Sequence, residues 1–437
     1  MENHLALSET RPMGHGSSEP LVAVLAGRLI DGVNQQAFSD AVVLIEGERI
    51  TAVGRDITPP PGAEVIDLSA YTVLPGLIDA HTHVCFAPQD GKDPVLTKSD
   101  AFRALQAAAA ARASLDAGFT TLRDTDSEGA GFADVAVRDA IRQGLIPGPR
   151  LFVSTRALSI TGGHMNLNGL APEIDMRLPQ VAAMADTVDE MIRAVRQQVK
   201  YGADWIKVYA TSTLRQIDQR TLEAVPQFSE AHLRVIVDEA ARWRKDVAAH
   251  AYGGEGARAA VRAGVRSIEH GMFLDRETLE LMVERQVFWC PTFSNMQPQY
   301  ALAGYPIAFV DRIMARHRET FQQAMELGVK VAFGTDAGRF PHGRNAEEFD
   351  LMVRAGMEPM RAIQTATSVA AELLRVEGEL GSVRKGSMAD LIAVDGNPLE
   401  DVNVLRDVRV VIKGGVVIKH AAARSAMDVD PVFGGHS

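Results

Sequence analysis

Six residues of this 437-residue chain are of metal-ligand or acid–base type and stand where short apolar runs end. His81 and His83 close GLIDAHTHV, Lys207 lies in DWIKVYA, His250 closes DVAAHAY, His270 closes VRSIEHG and Asp336 closes VKVAFGTD. His81 and His83 are one residue apart, so on an extended chain both imidazoles point to one face and can grip one ion. A lone His-x-His arises by chance in many chains, and any one of the others is more often a hydrogen-bonded structural residue. Gathered at one place, they would be a costly polar cluster to bury unless they met a cation. Imidazole with carboxylate suits zinc, and also manganese, cobalt or iron.

Lys207 sits between Ile206 and Val208, where a charged ammonium is costly to bury. Such a lysine either escapes to solvent, pairs with an acid, or loses its charge. In the last case its amine can take up carbon dioxide, and the resulting carbamate can bridge two metal ions.

The elements that would position these groups follow from the spacing of eight apolar runs between Leu74 and Gly378. Besides the five already quoted they are FTTLRDT, RLFVST and VFWCPT, and most are followed by Ala/Arg/Glu-rich helical pattern. Eight βα units predict an α/β fold, a (β/α)8 TIM barrel over residues 74–378, with functional groups at the C-terminal ends of its strands. A doubly wound sheet would want a Gly-rich phosphate loop after its first strand, where this chain has HTHVCFAP. Short β-rich runs at 21–73 and again at 379–425 predict a small β-sandwich domain built from both ends of the chain. Residues 1–20 read as a flexible tail.

The formal net charge of −11 gives phosphate backbones nothing to bind, and no apolar run reaches the roughly 18 residues of a membrane span. The expected partner is a small molecule. Cys85 and Cys290, the only cysteines, read as buried free thiols. The first 20 residues lack a basic region followed by an apolar one, so a cytoplasmic location is the default expectation.

The combination PGLIDAHTHV, WIKVYA, AAHAY, IEHG and FGTDAG resembles the amidohydrolase superfamily from Leu21 to about His420. The resemblance implies two divalent metal ions. His81, His83 and Asp336 bind one, His250 and His270 the other, and N6-carboxylated Lys207 bridges them. It also implies a homo-oligomer. TGGHMN at 161–166, KVYATS and TDAGRFPHGRNAEE resemble the branch of imidazolonepropionase-like proteins, aminoacyl-proline dipeptidases and ochratoxin-hydrolysing amidases. The activity implied is metal-dependent hydrolysis of an N-acyl amino acid or dipeptide-like amide.

In that chemistry the ions lower the pKa of water, and Asp336 moves the proton from the attacking oxygen to the leaving amine. His164 is placed to donate to the oxyanion. Tyr209, two residues beyond Lys207 on the same strand face, would meet the substrate or form a wall. Arg339, His342, Arg344 and Asn345 follow Asp336 in a loop where specificity is often set, and an arginine there suits a carboxylate. Phe86, Phe293 and Tyr300 would line an apolar pocket or pack the barrel.

Three other readings share some of these features. A mononuclear deaminase would want a glutamate three residues after His250, where this chain has Gly253. A cyclic amidase could use the same metal chemistry on a ring lactam. A silent barrel serving as a scaffold would hydrolyse nothing.

Overall fold

The computed structural model describes residues 21–90, 94–166, 180–295 and 305–421. The expected tail at 1–20, and Tyr300, lie outside them. The chain opens with β1 (Leu21–Leu29), β2 (Phe38–Glu46), β3 (Arg49–Gly54) and β4 (Glu64–Pro75). It continues through β5 (Leu77–Thr82), β6 (Phe119–Asp124), β7 (Arg150–Val153), β8 (Leu158–Ser159) and β9 (Ala183–Met184). β10 (Ile206–Tyr209), β11 (Val247–Gly253), β12 (Ser267–Phe273) and β13 (Phe288–Cys290) follow, and β14 (Leu391–Val394), β15 (Val408–Lys413) and β16 (Val416–His420) end it.

Both chain ends contribute to one mixed seven-stranded sheet ordered β16-β15-β14-β4-β1-β2-β3. It is continuously paired, where two facing sheets were expected, and it encloses an aliphatic core that includes Val24, Val43, Leu68, Leu391 and Val410. The parallel strands form two further sheets, β5-β6-β7 and β13-β12-β11-β10-β8-β9. Every residue of β5, β6, β7, β10, β11, β12 and β13 is buried, as parallel strands covered by helices require. The helices that cover them start at side-chain caps such as Ser99, Thr187, Ser229 and Asp275.

Seven of the eight predicted strands are present, and the eighth, VKVAFGTD, is not a regular strand. A Cβ at Gly334 would stand 2.8 Å from His81 Cβ, and Asp336 and Gly338 take φ values of +64° and +114°. The segment still hydrogen-bonds on both sides: Ala332 donates to Trp289 at 2.9 Å, while Ala80 donates to Phe333 at 2.8 Å and Asp336 to His81 at 2.7 Å. The strands thus fall in separate sheets and not in one closed ring. No described helix is long and apolar enough to cross a membrane.

Candidate active site

The polar strand ends meet. Donor atoms of His81, His83 and Asp336 lie within 4.8 Å of one another, all three residues buried. His83 Nε2 is 2.9 Å from Asp336 Oδ1 and His81 Nε2 is 3.4 Å from the same oxygen. The His81 ring is 4.9 Å from that of His270, which is 4.7 Å from that of His250. Lys207, from β10, is 1% exposed and lines the same cleft. It makes no hydrogen bond or ion pair with any described residue.

Partners behind the imidazoles orient them. His81 Nδ1 donates to Glu269 at 2.6 Å, His83 Nδ1 donates to the Asp126 carbonyl at 3.0 Å, and His270 Nδ1 lies 2.8 Å from Thr292 Oγ1. With Nδ1 engaged, the Nε2 lone pairs face the cluster, the arrangement in which metal-binding histidines are held. The buried Nε2 atoms of His81 and His250 have no hydrogen-bond partner among the described residues. Asn295 donates to the second oxygen of Asp336. Glu269 is gripped in turn by Arg123 at 2.8 Å and by Ser267. Arg123 is fully buried and lies 4.6 Å from the centre of the Trp205 ring.

Electrostatics prepare the same groups. Burial, reinforced by neighbouring cations, lowers the pKa of His81, His250 and His270, so these imidazoles are neutral and free to ligate. Burial likewise lowers Lys207, with Glu269 opposing and Arg123 assisting, which favours the neutral amine. At His83 burial acts downward, but the Asp336 hydrogen bond and the charges of Glu128 and Asp336 win and raise it to about 9. Burial raises Asp336, yet the imidazoles of His81 and His83 beside it hold it well below the usual carboxylate range. The potential that favours a proton here favours a metal cation equally, so these donors fit one.

The cleft, partly open to solvent, is lined by His83, Glu128, His164, Lys207, Tyr209, His250, Tyr252, His270, Asp336 and Arg339. His164 stacks on Tyr209 at 4.3 Å and meets the His250 ring edge-on at 4.3 Å. Burial, with Arg339 and Lys207 nearby, lowers His164 to about 3, so its ring is neutral. The Tyr209 hydroxyl donates to Asp126 at 2.6 Å. Arg339 lies over Phe86 at 4.5 Å and pairs with Glu128.

The other loop residues point elsewhere. His342 lies 3.0 Å from Ser114 Oγ, Asn345 donates to buried Asp79 at 2.7 Å, and Arg344 is exposed and paired with Glu347. Phe293 stacks on His317 at 3.9 Å. Cys85 and Cys290 are free, buried thiols.

A profile of the amidohydrolase family matches residues 72–418, most of the chain. The chain belongs to the amidohydrolase family. It is a hydrolase of carbon–nitrogen bonds, as are its relatives. Ochratoxinase of Aspergillus niger is 33% identical to this amidohydrolase, over 94% of this chain and 90% of that one. The crystal structure of that ochratoxinase aligns with a TM-score of 0.80 at 31% identity, covering 92% of this chain and 96% of the other. A Xaa-Pro dipeptidase solved with methionine in its active site gives a TM-score of 0.83 at 37% identity, covering 91% and 100%. An imidazolonepropionase of Symbiobacterium thermophilum is 26% identical over 82% of this chain and 85% of its own.

Several groups of the amidohydrolase site escaped the sequence reading. Glu269 and His270 are adjacent, and neighbours on a strand face opposite sides. Both nevertheless reach His81, because His270 takes a φ of +71°. Tyr252, two residues after His250, shares its face and lies 4.5 Å from its ring. Arg123, Asp126 and Glu128 come from LRDTDSEG, at and just after the end of the FTTLRDT run; none was singled out from the sequence, and all three are buried.

Proposed function

We propose that this amidohydrolase cleaves the amide bond of an N-acyl amino acid or dipeptide-like small molecule, with ochratoxin A, an aryl amide of phenylalanine, as the first substrate to test. The observation that carries the reading is Lys207, buried and unpaired beside four imidazoles and Asp336, in a cleft whose wall holds Arg339. In this reading His81, His83 and Asp336 hold one divalent ion, zinc first, while His250 and His270 hold a second, and N6-carboxylated Lys207 serves both. Bound ions of this kind acidify water and polarise a carbonyl.

The chain's own side chains do the rest. Asp336 takes the proton from the attacking water and returns it to the leaving nitrogen. Neutral His164 offers an N–H to the carbonyl oxygen as it gains charge. Tyr209, its hydroxyl engaged by Asp126, steadies His164 by stacking. Arg339 receives the substrate's carboxylate through donors that no described residue occupies. His342 and Asn345 brace the loop from behind.

We further propose that residues 74–378 form one (β/α)8 barrel, with the end segments as its companion β-domain. The bonds made by 330–337, and Asp204 donating to Val153 at 2.8 Å between β7 and β10, support closure. The functional test is release of amino acid from ochratoxin A, N-acyl-phenylalanine and Xaa-Pro dipeptides, and ring opening of an imidazolone, with Asp336→Asn beside wild type. Chelator-sensitive release from an open-chain amide, reduced at least 1,000-fold in Asp336→Asn, is the expected result. Ring opening alone would replace the reading with a cyclic amidase, and full turnover by Asp336→Asn would overturn the role of Asp336.

A further inference from the structure

One acid on the cleft wall has no part in the hydrolysis described above. Glu128 is 2% exposed, follows β6, and is held at a φ of +53° with its N–H bonded to Asp126 Oδ1 at 3.0 Å. Its carboxylate accepts from Arg339 at 2.5 Å and lies 3.5 Å from His83 Nδ1. A non-glycine residue in the left-handed region is strained, so the surrounding structure has to hold it there. What that conformation secures is an anion in contact with the cleft's arginine.

Arg339 is correspondingly fixed. Phe86 covers one face of its guanidinium, Glu128 takes one N–H, and its remaining donors have no acceptor among the described residues. A guanidinium has five N–H donors in a rigid fork, so an edge is left for a second carboxylate. A substrate anion docking there would share one cation with Glu128. Two like charges flanking a single cation, where water reaches only partly, repel each other and reduce the gain from binding.

We propose that Glu128 is a specificity-determining residue: it positions Arg339 for the substrate's carboxylate and offsets part of its charge, so that it sets how strongly acids are preferred over neutral amides. This rests on the reading of Arg339 as the carboxylate-binding group. Glu128→Gln keeps the length and an oxygen acceptor for Arg339 while removing the negative charge. Glu128→Asp keeps the charge but withdraws it from the guanidinium.

The experiment compares kcat/KM for N-benzoyl-L-phenylalanine with that for N-benzoyl-L-phenylalaninamide, in the metal-loaded enzyme. A ratio cancels any general effect on the fold or on His83. Glu128→Gln is expected to raise the acid-to-amide ratio at least fivefold, through a lower KM for the acid, and Glu128→Asp to raise it by less. An unchanged or lower ratio in Glu128→Gln overturns the proposal; should that variant not fold, an unchanged or lower ratio in Glu128→Asp does so. Arg339→Gln separates the two claims. If it leaves the wild-type ratio intact, the carboxylate reading of Arg339 fails. If it abolishes the preference while Glu128→Gln has no effect, only the role of Glu128 fails.

Discussion

Glu269→Gln removes one charge from the most deeply buried ion pair near the site. Arg123 and Glu269 are both fully buried and 2.8 Å apart. Unit charges roughly 4 Å apart attract by about 4 kcal/mol at an effective dielectric constant of about 20. Glutamine can still accept from His81, so the loss reports mainly on Arg123, left as a buried cation whose remaining contacts among the described residues are the uncharged Ala80 O, Ser267 Oγ, Cys290 Sγ and the Trp205 ring. Breaking a buried pair from one side costs about 3–5 kcal/mol, against a total stability of about 5–15 kcal/mol for a typical protein. The assay is urea unfolding at pH 7, with Glu280→Gln as the control. Its partner Arg276 is 64% exposed and Glu280 itself 53%, and exposed pairs contribute under about 1 kcal/mol. Arg123 and His81 hold Glu269 well below 4.5 despite its burial, so its contribution exists above that pH and fades as pH falls further. The difference between variant and wild type should shrink accordingly in acid. A loss below about 1 kcal/mol at pH 7 would refute the reasoning.

Three other outcomes follow from the same interior. Burial raises Glu348 to about 7, although Ser294 and the Phe293 N–H bond its charged form. The folded state therefore binds the extra proton between pH 4.5 and about 7, stability falls as pH rises through that window, and Glu348→Gln should flatten the slope in pH-dependent unfolding. Tyr209→Phe removes a buried hydroxyl bonded to Asp126; it should cost about 1–3 kcal/mol in urea unfolding and lower kcat less than tenfold. A larger kcat loss would put the hydroxyl on the substrate. Native mass spectrometry of the wild type should detect a carbon dioxide adduct; Lys207→Met should abolish it and turnover while leaving a folded protein, because an uncharged chain suits the buried position.

The convergence of the candidate ligands was legible because most of them stand on or just after strands, where a two-residue period fixes which side chains share a face. His81 and His83 meet as their spacing demanded, and His250, His270, Asp336 and Lys207 gather with them. Departures from that period were not legible. The left-handed turn at His270 brings Glu269 to the same neighbour, and positive φ at Asp336 and Gly338 breaks the extended backbone where the eighth run ends. Long-range pairings were equally hidden: Asn345 and Asp79 are 266 residues apart, and Arg339 and Glu128 are 211 apart. A loop arginine and a loop acid carry no sign in the sequence that they will face one cleft.

The central claim is that these buried donors bind two metal ions that are needed for amide hydrolysis. Elemental analysis of the purified protein, with amino acid release from an N-acyl-phenylalanine before chelation, after chelation and after zinc is restored, tests it most directly. About two ions per chain, activity lost with the metal and regained with zinc, is the predicted result. Undiminished hydrolysis by metal-free protein would contradict it.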